Sequence, residues 1–353
     1  LSLGLGACAH HKSLPPGEAL SISARQEDIR RAAVWFPTDI PSMDLKAGPD
    51  GPGALPPDAW VDCKYKQKEM SGESLKFTCV DASGDELKVK YGATNAEVYG
   101  EVLATRLFWA LGFPADRMYP VRVRCDGCPN DPKHQPAPGT GVVTFDPAAV
   151  ERKLAGRPLE IHQDSGWKWS ELEDIGPGAP ENARSQRDAL KLLAAFVQHT
   201  DNKAANQRLL CPAGSEIEKS GCRQPVMLVQ DLGLTFGRAT LMNKNKNSVS
   251  IDNWLDIPVW KDSEGCIARL KGSFTGSLSD PRISEGGRKF LAGLMVQLSD
   301  AQLHDLFETG RVERRSSDPS SQPEGDAAPP SIDAWVDAFK AKRQQIVDRT
   351  CPL

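Results

Sequence analysis

The run Phe196-Val-Gln-His-Thr-Asp-Asn-Lys-Ala-Ala-Asn-Gln-Arg-Leu-Leu210 decides how this chain is read. It begins as the end of an apolar segment, gathers His199, Asp201, Lys203 and Asn206, and closes on an apolar pair. Upstream, residues 189–197 are apolar nearly all round, which marks a buried helix. Downstream, Val226-Met-Leu-Val229 is a short apolar run that ends in Gln230-Asp231-Leu232-Gly233. Two acids, a lysine and an amide thus stand at the ends of buried segments.

Working outward, residues 59–91 change texture. Trp60–Gln67, Leu75–Val80 and Glu86–Tyr91 are strand-like and separated by turn residues around Gly72 and Gly84. Side chains alternate along a strand, so Lys88 and Lys90 share one face of the third, and Leu87, Val89 and Tyr91 the other. Thr94-Asn-Ala-Glu97 reads as a capping box for a helix to about Leu111, with Gly112 as its stop. Met118–Arg124 reads as a return strand. Residues 125–184 read as an irregular insertion, in which Trp167 and Trp169 are expected in the core. Ser185-Gln-Arg-Asp188 reads as the start of the buried helix. Further helices are expected at 288–297, 301–309 and 332–349, with a Ser/Pro/Glu-rich flexible loop at 311–331.

The chain has 353 residues, enough for two domains or one two-part unit. Lys+Arg is 43 and Asp+Glu 47, a net charge of −4 that offers no nucleic-acid footprint. No apolar run is long enough to span a bilayer. Leu1–Ala9 resembles the end of a secretory signal, and Leu5-Gly-Ala-Cys8 a lipoprotein signal with Cys8 as the lipid site. Export is therefore expected, to the periplasm or cell envelope as a lipoprotein, or as a secreted protein. Eight further Cys suit four disulfides in such a compartment. Cys63 and Cys79 flank the turn at Ser71-Gly72, Cys211 and Cys222 bracket a polar loop, and Cys266 is left for Cys351. Cys125-Asp-Gly-Cys128 is a single CxxC without the second half of a zinc site.

The central run resembles the protein-kinase catalytic loop, H-x-D-x-K-x-x-N, at each fixed position, and Asp231-Leu-Gly233 resembles the D-F-G that follows it. Lys90 on the third strand resembles the nucleotide lysine. Glu101 to Phe113 resembles the helix of the atypical bacterial branch near the toxin-type Ser/Thr kinases and the lipid-kinase-like proteins. The resemblance implies an α+β, two-lobed, disulfide-stapled fold: a signal remnant and tether at 1–57, in which one helix is expected at Ala24–Trp35, a β-rich lobe at 58–124, the insertion, a helical lobe at 185–310, the loop, and a C-terminal helix at 332–353. It implies ATP with Mg2+ or Mn2+ as cofactors. Asp201 would orient the acceptor proton, Lys203 steady the transferring phosphate, and Asn206 and Asp231 hold the metal. Lys90 would contact the phosphates, and the Gly72 turn would cover them. Glu101 is chosen as the partner of Lys90 because Glu97 is assigned to the capping box. The acceptor would be a hydroxyl on a protein or small molecule, and the protein a monomer. Two alternatives remain: a non-catalytic, pseudokinase-like binding module at the cell surface, and a kinase-fold enzyme that transfers AMP.

Overall fold

The computed structural model describes residues 21–159, 166–176, 182–217, 221–240, 242–271, 276–315 and 329–352. The signal-like segment with Cys8, and most of the loop expected at 311–331, lie outside them. Helix α1 (Ile22–Arg31) starts at Ser21, whose hydroxyl accepts from the Ala24 amide. Residues 21–57, read as part of a tether, pack into the protein. Ile29, Val34, Ile40 and Leu45 are buried in the main core, and Ala33 bridges to Val226.

Five strands then close into a barrel in the order β1-β2-β3-β5-β4. They are β1 (Ala59–Lys66), β2 (Lys76–Asp81), β3 (Glu86–Tyr91), β4 (Arg117–Asp126) and β5 (Val142–Arg152). The strand β5 occupies the stretch expected to be irregular. Its run Phe-Asp-Pro-Ala-Ala-Val from Phe145 to Val150 has a proline and little alternation, so the period-2 signal is weak. It pairs antiparallel with both β3 and β4, and β1 joins β4 in parallel to close the ring. Inside lies a small core of Phe77, Leu87, Val89, Val121, Val123 and Phe145 among others. Cys63 is opposite Asp81 in the β1–β2 register, two residues past Cys79, so the Cys63–Cys79 disulfide runs diagonally across the hairpin.

Helix α2 (Glu97–Ala110) is buried along almost its whole length. Its apolar residues join the larger core, not the barrel's own, together with α3 (Ala183–Phe196), α6 (Glu285–Met295), α7 (Asp300–Thr309) and α8 (Ile332–Val347). Short helices α4 (Lys244–Asn247) and α5 (Ile251–Leu255) precede α6. A second sheet is ordered β10-β7-β6, from β6 (Arg157–Pro158), β7 (Gln207–Cys211) and β10 (Val226–Val229). A separate two-stranded ribbon pairs β8 (Glu216–Ile217) with β9 (Gly221–Cys222), and the Cys222 amide donates to Asp28 Oδ1 on α1.

Both expected caps differ. Helix α2 begins at Glu97 itself, with no side-chain cap from Thr94; Asn95 Oδ1 accepts from the Glu97 amide instead. Helix α3 begins at Ala183, ahead of Ser185, and Asp188 accepts from the Ser284 amide. The remaining disulfides join Cys125–Cys128, Cys211–Cys222 and Cys266–Cys351, the last tying the segment after α8 to the chain after α5.

Lys342 on α8 is buried and donates to the carbonyls of Trp254 and Ile257 with no carboxylate beside it among the described residues. Burial pulls its ammonium down to about 7. Between about pH 7 and the unfolded value near 10.5 the folded state binds fewer protons than the unfolded one, so stability rises with pH across that window, by up to about 1.4 kcal/mol per pH unit. Urea denaturation at pH 7 and 9 should show that rise, and Lys342→Met should flatten it.

Candidate active site

The site begins with Lys90. It lies on β3, whose alternation sends Lys88 and Lys90 to the side where Glu101 and Asp231 act on both. The Lys90 side chain is 0% exposed. Its Nζ is 2.7 Å from Glu97 Oε2, 2.7 Å from Glu101 Oε2 and 2.9 Å from Asp231 Oδ1. The contacts to Glu97 and Asp231 have hydrogen-bond geometry; Glu101 Oε2 lacks it and acts as a close counter-charge. Glu97 and Glu101 reach the same ammonium because they stand four apart on one helix face.

Electrostatics distinguish the three acids. Burial opposes the Lys90 charge, but Asp231, Glu101 and Glu97 outweigh it and hold the ammonium well above the lysine range. Lys90 in turn holds Asp231 well below the carboxylate range. Burial pushes Glu101 up to about 7 against the pull of Lys90. Burial also acts on Glu97, yet Lys90 and a 2.7 Å hydrogen bond from the Ser74 hydroxyl keep it low. Asp231 alone keeps a sizeable opening, with 36% of its side chain exposed against 7% and 3% for the glutamates. A ligand therefore meets this cluster at Asp231.

Two glycines allow the convergence. A Cβ on Gly100 would stand 2.5 Å from the Gly233 carbonyl oxygen, and one on Gly233 would stand 2.7 Å from Glu97 Cγ. Helix α2 and the Asp231-Leu232-Gly233 turn thus meet backbone to backbone. Thr235 fastens the contact by donating to Gly100 O or Leu232 O. Gly100→Ala is expected to push the turn off the helix and cost about 1–3 kcal/mol. Its thermal midpoint should fall, and the Lys90–Asp231 pairing should loosen.

The second half comes from the run that ends α3. Gln198, at φ 57°, turns the chain out of the helix, and the His199 amide closes it onto Ala194 O. Asp201 then pairs with Lys203 at 2.8 Å. Asn206 Nδ2 donates to Asp201 O at 2.7 Å, which leaves its Oδ1 as the acceptor end. The β7–β10 ladder sets Gln207 opposite Val229, and the Gln230 amide donates to Asn206 O at 2.9 Å. The 25 residues from Asn206 to Asp231 are thereby closed up, with the Cys211–Cys222 loop folded out beyond the ladder. Asn206 Oδ1 and the open Asp231 carboxylate are hard oxygen donors of the kind a Mg2+ ion takes.

His199 is fully buried, and burial presses its imidazole down to about 4. Neither ring nitrogen has a hydrogen-bond partner among the described residues, and the ring packs edge-on to Trp169. It is a neutral packing residue. The charges of Asp201 and Asp231 pull the imidazole up and that of Lys203 pushes it down, but burial dominates. Trp169 supports the loop directly, since its indole donates to Asn202 O at 3.0 Å.

Gly72 sits at φ 79° in the β1–β2 connection, where Lys133 donates to its carbonyl. Among the described residues no hydrogen bond joins it to Lys90 or Asp231; the connection reaches the cluster through Ser74 and Lys76. The Lys76 ammonium is lowered by burial and by Lys90 and Lys88. Reading the sequence missed Glu97, Ser74, Lys76 and the support from Trp169. For Glu97 the signal was present: its four-residue spacing from Glu101 outranks the capping pattern that displaced it.

No family model matches this chain, and no curated protein matches it. Among solved structures it is similar to the Helicobacter pylori proinflammatory kinase CtkA, at 9% identity and a TM-score of 0.43, over 82% of this chain and 95% of that one. It is also similar to the Rio2 kinase of Chaetomium thermophilum, solved as an ADP/Mg2+-phosphoaspartate complex, at 10% identity and a TM-score of 0.31, over 70% of each chain.

Proposed function

We propose that this chain is an exported, kinase-like phosphotransferase that moves the γ-phosphate of ATP to a hydroxyl of a protein or small molecule. The observation that carries the reading is the convergence of Lys90, Glu97, Glu101 and Asp231 on one point, with Asn206 laced to the residue before Asp231. Phosphoryl transfer asks a protein mainly for positioning and charge. Bound Mg2+ or Mn2+ would neutralise phosphate charge, with Asp231 and Asn206 as its ligands. Lys90, kept protonated by its glutamates, supplies the fixed cation for the phosphates. Asp201 accepts or orients the acceptor proton, and Lys203, already paired with Asp201, stands ready for the transferring group. The test is transfer of label from γ-labelled ATP to a generic protein acceptor or to the chain itself. Metal-dependent labelling that is lost in Asp231→Ala supports the reading; no labelling with any metal counts against it.

A second reading, a pseudokinase-like binding module, draws on one observation. Lys90 is fully enclosed by three carboxylates, and the turn that would cover a phosphate has one glycine between serines. Under that reading Mg-ATP leaves the melting temperature unchanged.

A further inference from the structure

A cavity of about 290 Å³ opens beside Gln198, and none of Lys90, Glu97, Glu101 or Asp231 lines it. Four cations line it, Arg238, Lys261, Arg269 and Lys271, against two carboxylates, Asp256 and Asp280. The chain as a whole is acidic, so this is a local reversal of sign. The cations are not equally engaged. Lys261 pairs with Asp280 at 2.7 Å, and Asp280 also accepts from the Leu270 amide. Arg269 donates to Lys261 O at 3.4 Å, and its Nε is buried with no hydrogen-bond partner among the described residues. Arg238 and Lys271 have no ion-pair partner among the described residues. With Lys261 and Asp280 neutralising each other and Asp256 offsetting one charge, the cavity keeps an excess of two positive charges. That matches a phosphate monoester, which carries about −1.5 to −2 near neutral pH.

We propose that this cavity binds a small phosphate monoester, with its dianionic head held by Arg238, Arg269 and Lys271. A guanidinium offers the planar fork that phosphate oxygens accept, and an ammonium adds a point charge. The walls are built. Gln198 lines the cavity and is pinned by its own amide, which donates to Ala195 O and Arg269 O, each at 2.7 Å. Ser279 and Asp280 continue from Leu278, whose amide donates to Asn202 Oδ1 at 2.8 Å while Asn202 Nδ2 returns a bond to Leu278 O. The proposal stands on this cavity alone and does not depend on nucleotide chemistry at Lys90.

The test is calorimetric titration of the full chain with glycerol 3-phosphate and with inorganic phosphate, against chloride at matched ionic strength. Wild type and Asp231→Ala should both bind. The double variant Arg238→Ala/Lys271→Ala, at two solvent-exposed positions, should bind about tenfold or more weakly, with an unchanged melting temperature. Binding of inorganic phosphate as tight as that of the ester would assign the site to free phosphate and overturn the ester. Absence of binding in the wild type, or equal binding in the double variant, overturns the site itself. Binding lost in Asp231→Ala and kept in the double variant moves the anion to the lysine cluster, and also overturns it.

Discussion

Lys90→Met is expected to lower the free energy of unfolding by about 3–5 kcal/mol, because it strips buried carboxylates of the ammonium in contact with them. The three acids stand within 3 Å of the lost ammonium, and two of them are almost fully buried. Part of the cost is relieved when an acid takes a proton, and Glu101, already lifted to about 7, is the one to do so. The penalty should therefore be smaller at pH 5 than at pH 8. Urea denaturation at both values measures it, and Lys90→Met/Glu97→Gln should recover part of the loss. An unchanged urea midpoint at pH 8 would mean that Lys90 does not hold the cluster together.

Asp201→Ala is expected to slow phosphoryl transfer by about 10²–10⁴-fold while the fold persists. The Asp201 carboxylate pairs only with Lys203 among the described residues, and its backbone carbonyl, which Asn206 uses, survives the substitution. Asp201→Asn keeps the shape and should be nearly as slow, because it loses the acceptor capacity. The readout is the rate of label transfer at saturating Mg-ATP. A rate within threefold or so of wild type in both variants would take Asp201 out of the chemistry. These two substitutions separate the halves of the site, one read in stability and the other in rate.

Much of this was legible because several short-range rules coincide. The period-2 run at Glu86–Tyr91 fixes which lysines share a face. The all-apolar run before His199 requires a buried helix, and so sets the depth of Asp201 and Asn206. Cysteine spacing about the turns anticipated the Cys63–Cys79 and Cys211–Cys222 links. What escaped depends on long-range pairing. Strand β5 has little alternation of its own, and it is a strand because β3 and β4 lie on either side of it. Closure of the barrel rests on the parallel β1–β4 contact across more than fifty residues, which no local pattern reports. Beyond the helix expected at Ala24–Trp35, which runs over Ile22–Arg31, residues 32–57 have weak periodicity but bury Ile40 and Leu45 in the main core. Glu97 was set aside for a cap that α2 does not use; its partner came from tertiary structure. The Gly100–Gly233 approach was equally invisible, since each glycine looks ordinary without the other.

The most direct test of the central claim is calorimetric titration of the protein with ATP in Mg2+ and in EDTA, for wild type and Asp231→Ala. Binding is expected in Mg2+, with loss or strong weakening in EDTA, and none in Asp231→Ala despite a folded protein. No heat with wild type in Mg2+ or Mn2+, or equal binding by Asp231→Ala, would contradict it.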